Sequence, residues 1–286
     1  MEAATRISHQ SRSVAYYLRP DHVPVMLWRH RALIRQLVVR AVAARYRGSV
    51  LGLLWSFILP LTMLAVWTFV FGVILKGQFE PDDPPTLSYF ALTLFAGVVV
   101  YTLFVECVSA APSVIVAHTN YVKRVVFPLE ILPVVTLGSA LVNLLCSLAM
   151  LLVGIGALEH RFPLHLLEFA LVLVPLILLS LGLSWFLASV GVYLRDTAHV
   201  VTVVLQMLFY LTPIFYPLSR IPYESLRQAM RANPLTVIVE NSRRTLMRGQ
   251  PPEWLWLGIV TLAGLVALQL GYVWFMKTKR GFADVL

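Results

Sequence analysis

From residue 53 onward the chain alternates long apolar runs with short polar interruptions. A hydrocarbon core of ~30 Å takes about 20 helical residues at 1.5 Å each. Six runs meet or approach that length: Leu53–Leu75, Leu87–Ala117, Ile131–Leu158, Leu166–Tyr193, Val200–Pro217 and Trp254–Met276. In lipid every backbone polar group needs a partner within the protein, so each run is read as a helix. Prolines 60, 112, 133, 175 and 213 do not defeat this, because spanning helices tolerate proline where neighbours satisfy the freed carbonyls. The second run is longer than a span requires, which predicts a tilt or a bend around Pro112. The expected fold is an all-α integral membrane protein with six transmembrane helices.

Two further stretches are amphipathic. Between Met26 and Ala44, Leu33, Ile34, Leu37, Val38 and Ala41 fall on one helical face, with Arg29, Arg31, Arg35 and Arg40 opposite. That pattern suits a helix lying in the membrane interface, or more simply an electrostatic anchor. Pro20 and Pro24 should break any helix upstream, leaving residues 1–25 as a tail, 26–52 as an interface helix and loop, and 53–286 as the spanning domain. Between runs five and six, Tyr223–Arg231 and Leu235–Met247 read as two short helices separated by Asn233-Pro234, a capping residue followed by proline at the first helical position. They would dip into the outer leaflet and return, within about residues 220–248.

Composition agrees: hydrophobic residues make up 59% of the chain, charged ones only 13%, and mean hydropathy is +0.79, far from soluble averages. The net charge of +9 points to anionic lipid and cytoplasmic loops, with no call for nucleic acid. With the N-terminus inside, 15 of the 23 basic residues fall on cytoplasmic segments, and six spans return the C-terminus to the same side. The outer connection opposes this, since it holds Arg220, Arg227, Arg231, Arg243, Arg244 and Arg248. A hidden seventh span is the alternative, but that stretch never reaches twelve uncharged residues. The arginine-rich N-terminus superficially suits a transit peptide; it lacks a secretory signal's apolar core and is read as mature protein.

Catalytic chemistry is sparse. The sequence has no G-x-x-x-x-G-K-[ST], so no P-loop, and no H-x-x-x-H pair. Cys107 and Cys146 lie in apolar runs and read as small buried side chains. Glu80, Asp82 and Asp83 form a proline-rich turn, better read as solvated than as a cation site. Glu106 stands out as an ionisable group inside a span, about 28 Å below the outer end at Leu87. It either faces a cavity or partner subunit, or makes a structural hydrogen bond. Asn143 and Gln206 fit helix packing, and Phe209, Tyr210, Phe215 and Tyr216 either line a sugar path or belong to the core.

Several local patterns then converge. They are R-Y-R-G-S-V-L-G-L-L-W at 45–55, N-Y-V-K-R-V-V-F-P-L-E-I-L-P at 120–133, Y-L-R-D at 193–196, Y-L-T-P-I-F-Y-P at 210–217, and N-P-L-T at 233–236 followed by Arg243 and Arg244. In that order and frame, the chain from about Arg29 to Leu286 resembles the membrane subunit of ABC-2 type exporters for polysaccharides, the group that handles O-antigen, capsule and teichoic acid precursors.

The resemblance implies a homodimeric channel in a bacterial inner membrane, with both termini cytoplasmic. Two copies of a separate ATPase would dock inside, and ATP and Mg would be held there, with no cofactor on this chain. Arg31, Arg35, Asn120, Lys123 and Arg124 would contact that ATPase. Arg45, Arg47, Gly48, Leu51 and Gly52 would form the loop that receives the lipid pyrophosphate, the arginine forks supplying two-point donors and the glycines backbone freedom. Trp67, Glu106, Tyr210, Phe215, Tyr216, Arg243 and Arg244 would serve as channel or gate residues. An ABC-2 exporter for a drug, lipid or haem-like molecule is the alternative. A membrane-embedded enzyme would need a cluster of acids or histidines that the sequence does not assemble.

Overall fold

The computed structural model describes residues 19, 21–46, 51–80, 83–124 and 127–286, except for the side chains of residues 46, 53 and 122–124. Among these residues the chain is helical and carries no strand. It opens with α1 (His22–Arg29) and α2 (Arg31–Tyr46). Pro24 does not break α1 as expected. It occupies the first turn, where its missing N–H leaves no intrahelical bond unmade. In α2 the predicted face holds: Leu33, Ile34, Leu37 and Val38 turn inward, while Arg31, Arg35 and Arg40 are exposed.

Among the described residues, five helices are long and apolar enough to cross a membrane. The first is α3 (Trp55–Trp67), continued by a wider π-type turn at Thr68–Ile74. It follows a tight turn in which Gly52 takes a left-handed φ of 47°, a conformation glycine adopts without a Cβ penalty. Next comes α4 (Leu87–Val114), which ends just past Pro112, three residues short of the predicted end. The short α5 (Thr119–Arg124) leads to α6 (Ile131–Leu158) and α7 (Leu166–Tyr193), both with the predicted bounds. The last long span is α11 (Trp254–Thr278), which a 3₁₀ turn joins to α12 (Phe282–Val285).

The sixth apolar run differs from its expected form. Helix α8 covers Thr197–Leu211, 15 residues or about 22 Å, and stops six residues before Pro217. Pro213 explains the stop: its ring disfavours helical backbone at the preceding residue, and Thr212 is accordingly extended (ψ 134°). Beyond it α9 (Glu224–Arg231) and α10 (Pro234–Arg243) match the two predicted outer helices. Asn233 caps α10 by accepting the Leu235 N–H at 3.0 Å, with Pro234 at the first position.

Helix α4 is the hub. It is buried over most of its length, with α6, α7, α8 and α10 packed around it, while no residue of the first span is fully buried. Close approach elsewhere depends on small residues, as membrane interfaces prefer. A side chain at Gly271 would run into the Gly182 backbone, one at Gly182 into Ala267, and one at Gly191 into Pro112. At the face carrying the C-terminus, Trp185 donates to the Glu130 carbonyl (2.9 Å), Tyr193 donates to the Thr278 carbonyl (2.9 Å), and Lys279 pairs with Glu130.

Gly271→Leu should force α7 and α11 apart against main-chain atoms that cannot yield, costing upwards of about 2 kcal/mol. The expected readout is a clear fall in the detergent melting temperature, while Gly258→Leu, at a position where an added Cβ meets no atom within 4 Å, leaves it unchanged. Equal stability of the two variants would contradict this packing.

Candidate functional site

Three constellations concentrate the polar and aromatic chemistry of the bundle. The first lies between α2, α4 and α6. Asn143 of α6 donates from Nδ2 to both carboxylate oxygens of Glu106 at 2.9 Å, and Arg45 of α2 donates from both terminal nitrogens to Glu106 Oε2 at 3.3 Å. Burying a carboxylate among apolar helices requires such donors, and this one has an amide and a guanidinium. Glu106 therefore makes a hydrogen bond and borders cavities as well. A cavity of about 520 Å³ lies along α3, α4 and α6, and another of about 450 Å³ lies between α2, His118 and Tyr121; Arg45 and Glu106 border both.

The second constellation is aromatic. Phe215 stacks on Phe71 (4.4 Å between ring centres) and meets Trp67 (5.6 Å), Phe209 (5.0 Å) and Tyr210 (6.1 Å). Tyr101 joins through Phe209 and donates to the Leu205 carbonyl at 2.6 Å. Tyr216 donates to the Tyr210 carbonyl at 2.7 Å. Tyr101, Phe209 and Tyr210 also line an open cavity of about 560 Å³ beside α8, with Thr102, Thr202 and Gln206 as its polar edge. Tyr101 and Phe71 escape sequence reasoning, because each lies in a uniformly apolar run with no periodic signal.

The third is Arg243, which is fully buried. Its guanidinium donates to the carbonyls of Pro213 (2.7 Å) and Ile214 just beyond the end of α8, and to Thr93 of α4 (3.3 Å). It also pairs with Glu240 at 2.8 Å and sits 4.2 Å from the centre of the Phe79 ring. The neighbouring Arg244 points elsewhere, to Glu253 (3.2 Å). Arg227 pairs with Glu224, and Arg248 approaches Glu80 and Asp83. Four of the six arginines between residues 220 and 248 thus carry a carboxylate partner, which offsets part of the charge of that stretch.

The remaining site expectations are spread out. Arg31 lies over the exposed Trp28 ring at 4.6 Å, and Arg35 and Asn120 are exposed. Leu51 and Gly52 belong to the turn before α3. Arg47 and Gly48 lie outside the described residues, as do the side chains of Lys123 and Arg124. Among the described residues no group of three or more histidine, cysteine or acidic side chains could hold a metal ion.

The arrangement is a helical bundle with a charged node at one level and an aromatic cluster at another. The description of one family, the ABC-2 type transporters, matches residues 32–247. The chain belongs to that family. As an ABC-2 transporter chain it is a multi-pass membrane protein and a component of a transport system. It is 30% identical over 260 residues to the O-antigen export system permease protein RfbA of Myxococcus xanthus, covering 90% of this chain and 96% of that one. It is 24% identical to an RfbA of the same description from Klebsiella pneumoniae, covering 85% and 90%. It is also 25% identical to the polysialic acid transport protein KpsM of Escherichia coli, covering 84% and 91%.

Arg243→Leu should strip donors from the Pro213 and Ile214 carbonyls and leave Glu240 without its partner, a loss of about 3–5 kcal/mol. Folded, monodisperse protein should fall sharply in size-exclusion chromatography. Arg244→Leu, which breaks an exposed pair, should cost under about 1 kcal/mol. Equivalent yields for the two would show that the buried guanidinium is dispensable.

Proposed function

We propose that this chain is the membrane-spanning permease subunit of an ATP-driven ABC exporter that moves a lipid-linked polysaccharide, of O-antigen or capsule type, across the bacterial inner membrane. One observation carries the reading: the match runs nearly end to end through permeases named for O-antigen export and polysialic acid transport, covering 96% and 91% of two of them. Two copies form the channel, and two copies of a nucleotide-binding ATPase, holding ATP and Mg, dock on the cytoplasmic face where both termini lie.

Residue roles follow from position. Exposed Arg31, Arg35 and Asn120 belong to the ATPase contact, together with Lys123 and Arg124. The shared cavity between α2 and the His118–Tyr121 stretch supports treating α2 and α5 as one docking unit. Tyr210 offers its ring to sugars in the cavity beside α8, and Phe215, Trp67 and Tyr216 back it through ring contacts and the Tyr216–Tyr210 hydrogen bond. Arg45 and Arg47, flanked by Gly48, Leu51 and Gly52, receive the pyrophosphate of the carrier lipid at headgroup depth. Glu106 bears on the path through Arg45, Arg243 by holding the outer end of α8, and Arg244 by holding α10 against the start of α11.

In the source cell, replacing the gene by one encoding Arg45→Gln/Arg47→Gln should lower surface polysaccharide at least about tenfold, as expected for loss of charge-assisted phosphate contacts. Lipid-linked glycan should accumulate inside while subunit abundance stays normal. Unchanged surface polysaccharide on deletion of the chain would overturn the exporter reading. Unchanged export in the double variant would overturn only the arginine role.

A further inference from the structure

The cavity of about 520 Å³ beside the first span has a shape and polarity of its own. One wall is a stripe on α3, Trp55, Leu59, Pro60, Met63 and Trp67, at the three- and four-residue spacing that keeps side chains on one helical face. The opposite wall runs down α4 from Phe95 to Glu106, about 16 Å at 1.5 Å per residue. Apart from Thr102 that wall is apolar, and it ends at one charged node, where Arg45, Glu106 and Asn143 meet. Since no residue of the first span is fully buried, the groove lies along the helix most open to surrounding lipid.

A long apolar slot closed by a cation complements a single-chain amphiphile with an anionic head. Ordinary two-chain lipids do not match a single slot. The cation is already occupied: Glu106 holds both terminal nitrogens of Arg45. A monoanionic phosphodiester would gain little by exchanging with a carboxylate of equal charge. A pyrophosphate carries more charge and more acceptor oxygens, and so competes for the guanidinium.

We infer that this groove binds the tail of a single-chain lipid pyrophosphate, and that Glu106 is the resident counter-ion the headgroup must displace from Arg45. Arg45 lies on α2 and Glu106 on α4, so displacement releases the salt bridge between those two helices while the apolar face of α2 stays packed against α6. Asn143 holds the released carboxylate on α6 through its own two contacts. This rests on the reading that the cargo arrives on a lipid pyrophosphate, and it adds the place of the tail and the exchange.

The test is binding, measured without glycan or ATPase so that its failure is separable from failure of the export reading. Full-length protein in nanodiscs is titrated with geranylgeranyl pyrophosphate, inorganic pyrophosphate or phosphatidylglycerol. Glu106→Gln keeps an amide for Asn143 and removes the competing charge; it should tighten geranylgeranyl pyrophosphate about tenfold, the worth of one charge-assisted hydrogen bond. Arg45→Gln should weaken it by a similar factor. Leu144→Trp, which fills the groove, should weaken the prenyl compound and leave inorganic pyrophosphate unaffected. Phosphatidylglycerol should compete poorly throughout. Unchanged or weaker binding in Glu106→Gln, with normal size-exclusion behaviour, overturns the exchange. Equal affinity of wild type and Leu144→Trp, or displacement of the prenyl compound by phosphatidylglycerol, overturns the groove.

Discussion

Where a helix stops inside a membrane protein the backbone beyond it must find donors, and here one side chain supplies them to two consecutive carbonyls. Pro213 stops α8 after about 22 Å, too short for a full hydrocarbon core. The freed carbonyls of Pro213 and Ile214 would cost several kcal/mol each if left bare in an apolar setting. Arg243 bonds both, reaches α4 at Thr93, and keeps its own charge paired through Glu240. Helix α10, the broken span α8 and the hub helix α4 therefore meet at one guanidinium. The aromatic cluster depends on the same contact, because Phe215 directly follows the bonded Ile214.

The opposite level of the bundle uses a different solution to the same problem. Glu106 is an ionisable group in a span, satisfied by Asn143 and Arg45. Its partner Arg45 is still 42% exposed, so the pair is reachable in a way the Arg243 network is not. One arginine is locked into the fold and the other sits beside two cavities. That contrast separates structural charge from charge available to a ligand, although both residues look alike in the sequence as arginines next to apolar runs.

Much of the fold was legible because hydropathy and helix signals are local. The bounds of α6 and α7, the inward face of α2 and the Asn233-Pro234 start of α10 all follow from residues close in sequence. The short reach of α8 was also signalled, by Pro213, but length alone favoured a longer span. Pro24 misled because proline breaks a helix only beyond its first turn. What could not be read were pairings across the bundle. Glu106 with Arg45 joins residues 61 positions apart, and Arg243 with Thr93 joins residues 150 apart. Hydropathy shows that a charge in a span needs a partner and gives no address for it. The aromatic cluster was visible in its 209–216 part, with Trp67 named through the family resemblance, while Phe71 and Tyr101 reach it from other helices without a signal of their own.

In the proposed function this bundle is a passage for a lipid-borne glycan driven by a separate ATPase. The most direct measurement is translocation in proteoliposomes that contain this chain, its ATPase and a fluorescent lipid-pyrophosphate-linked oligosaccharide, with glycan reaching the far leaflet scored by a membrane-impermeant lectin. The account predicts lectin-accessible signal that requires ATP, the ATPase and this chain together. Translocation that proceeds equally without this chain, or its absence when an intact and ATP-hydrolysing complex is supplied with the glycan, would contradict it.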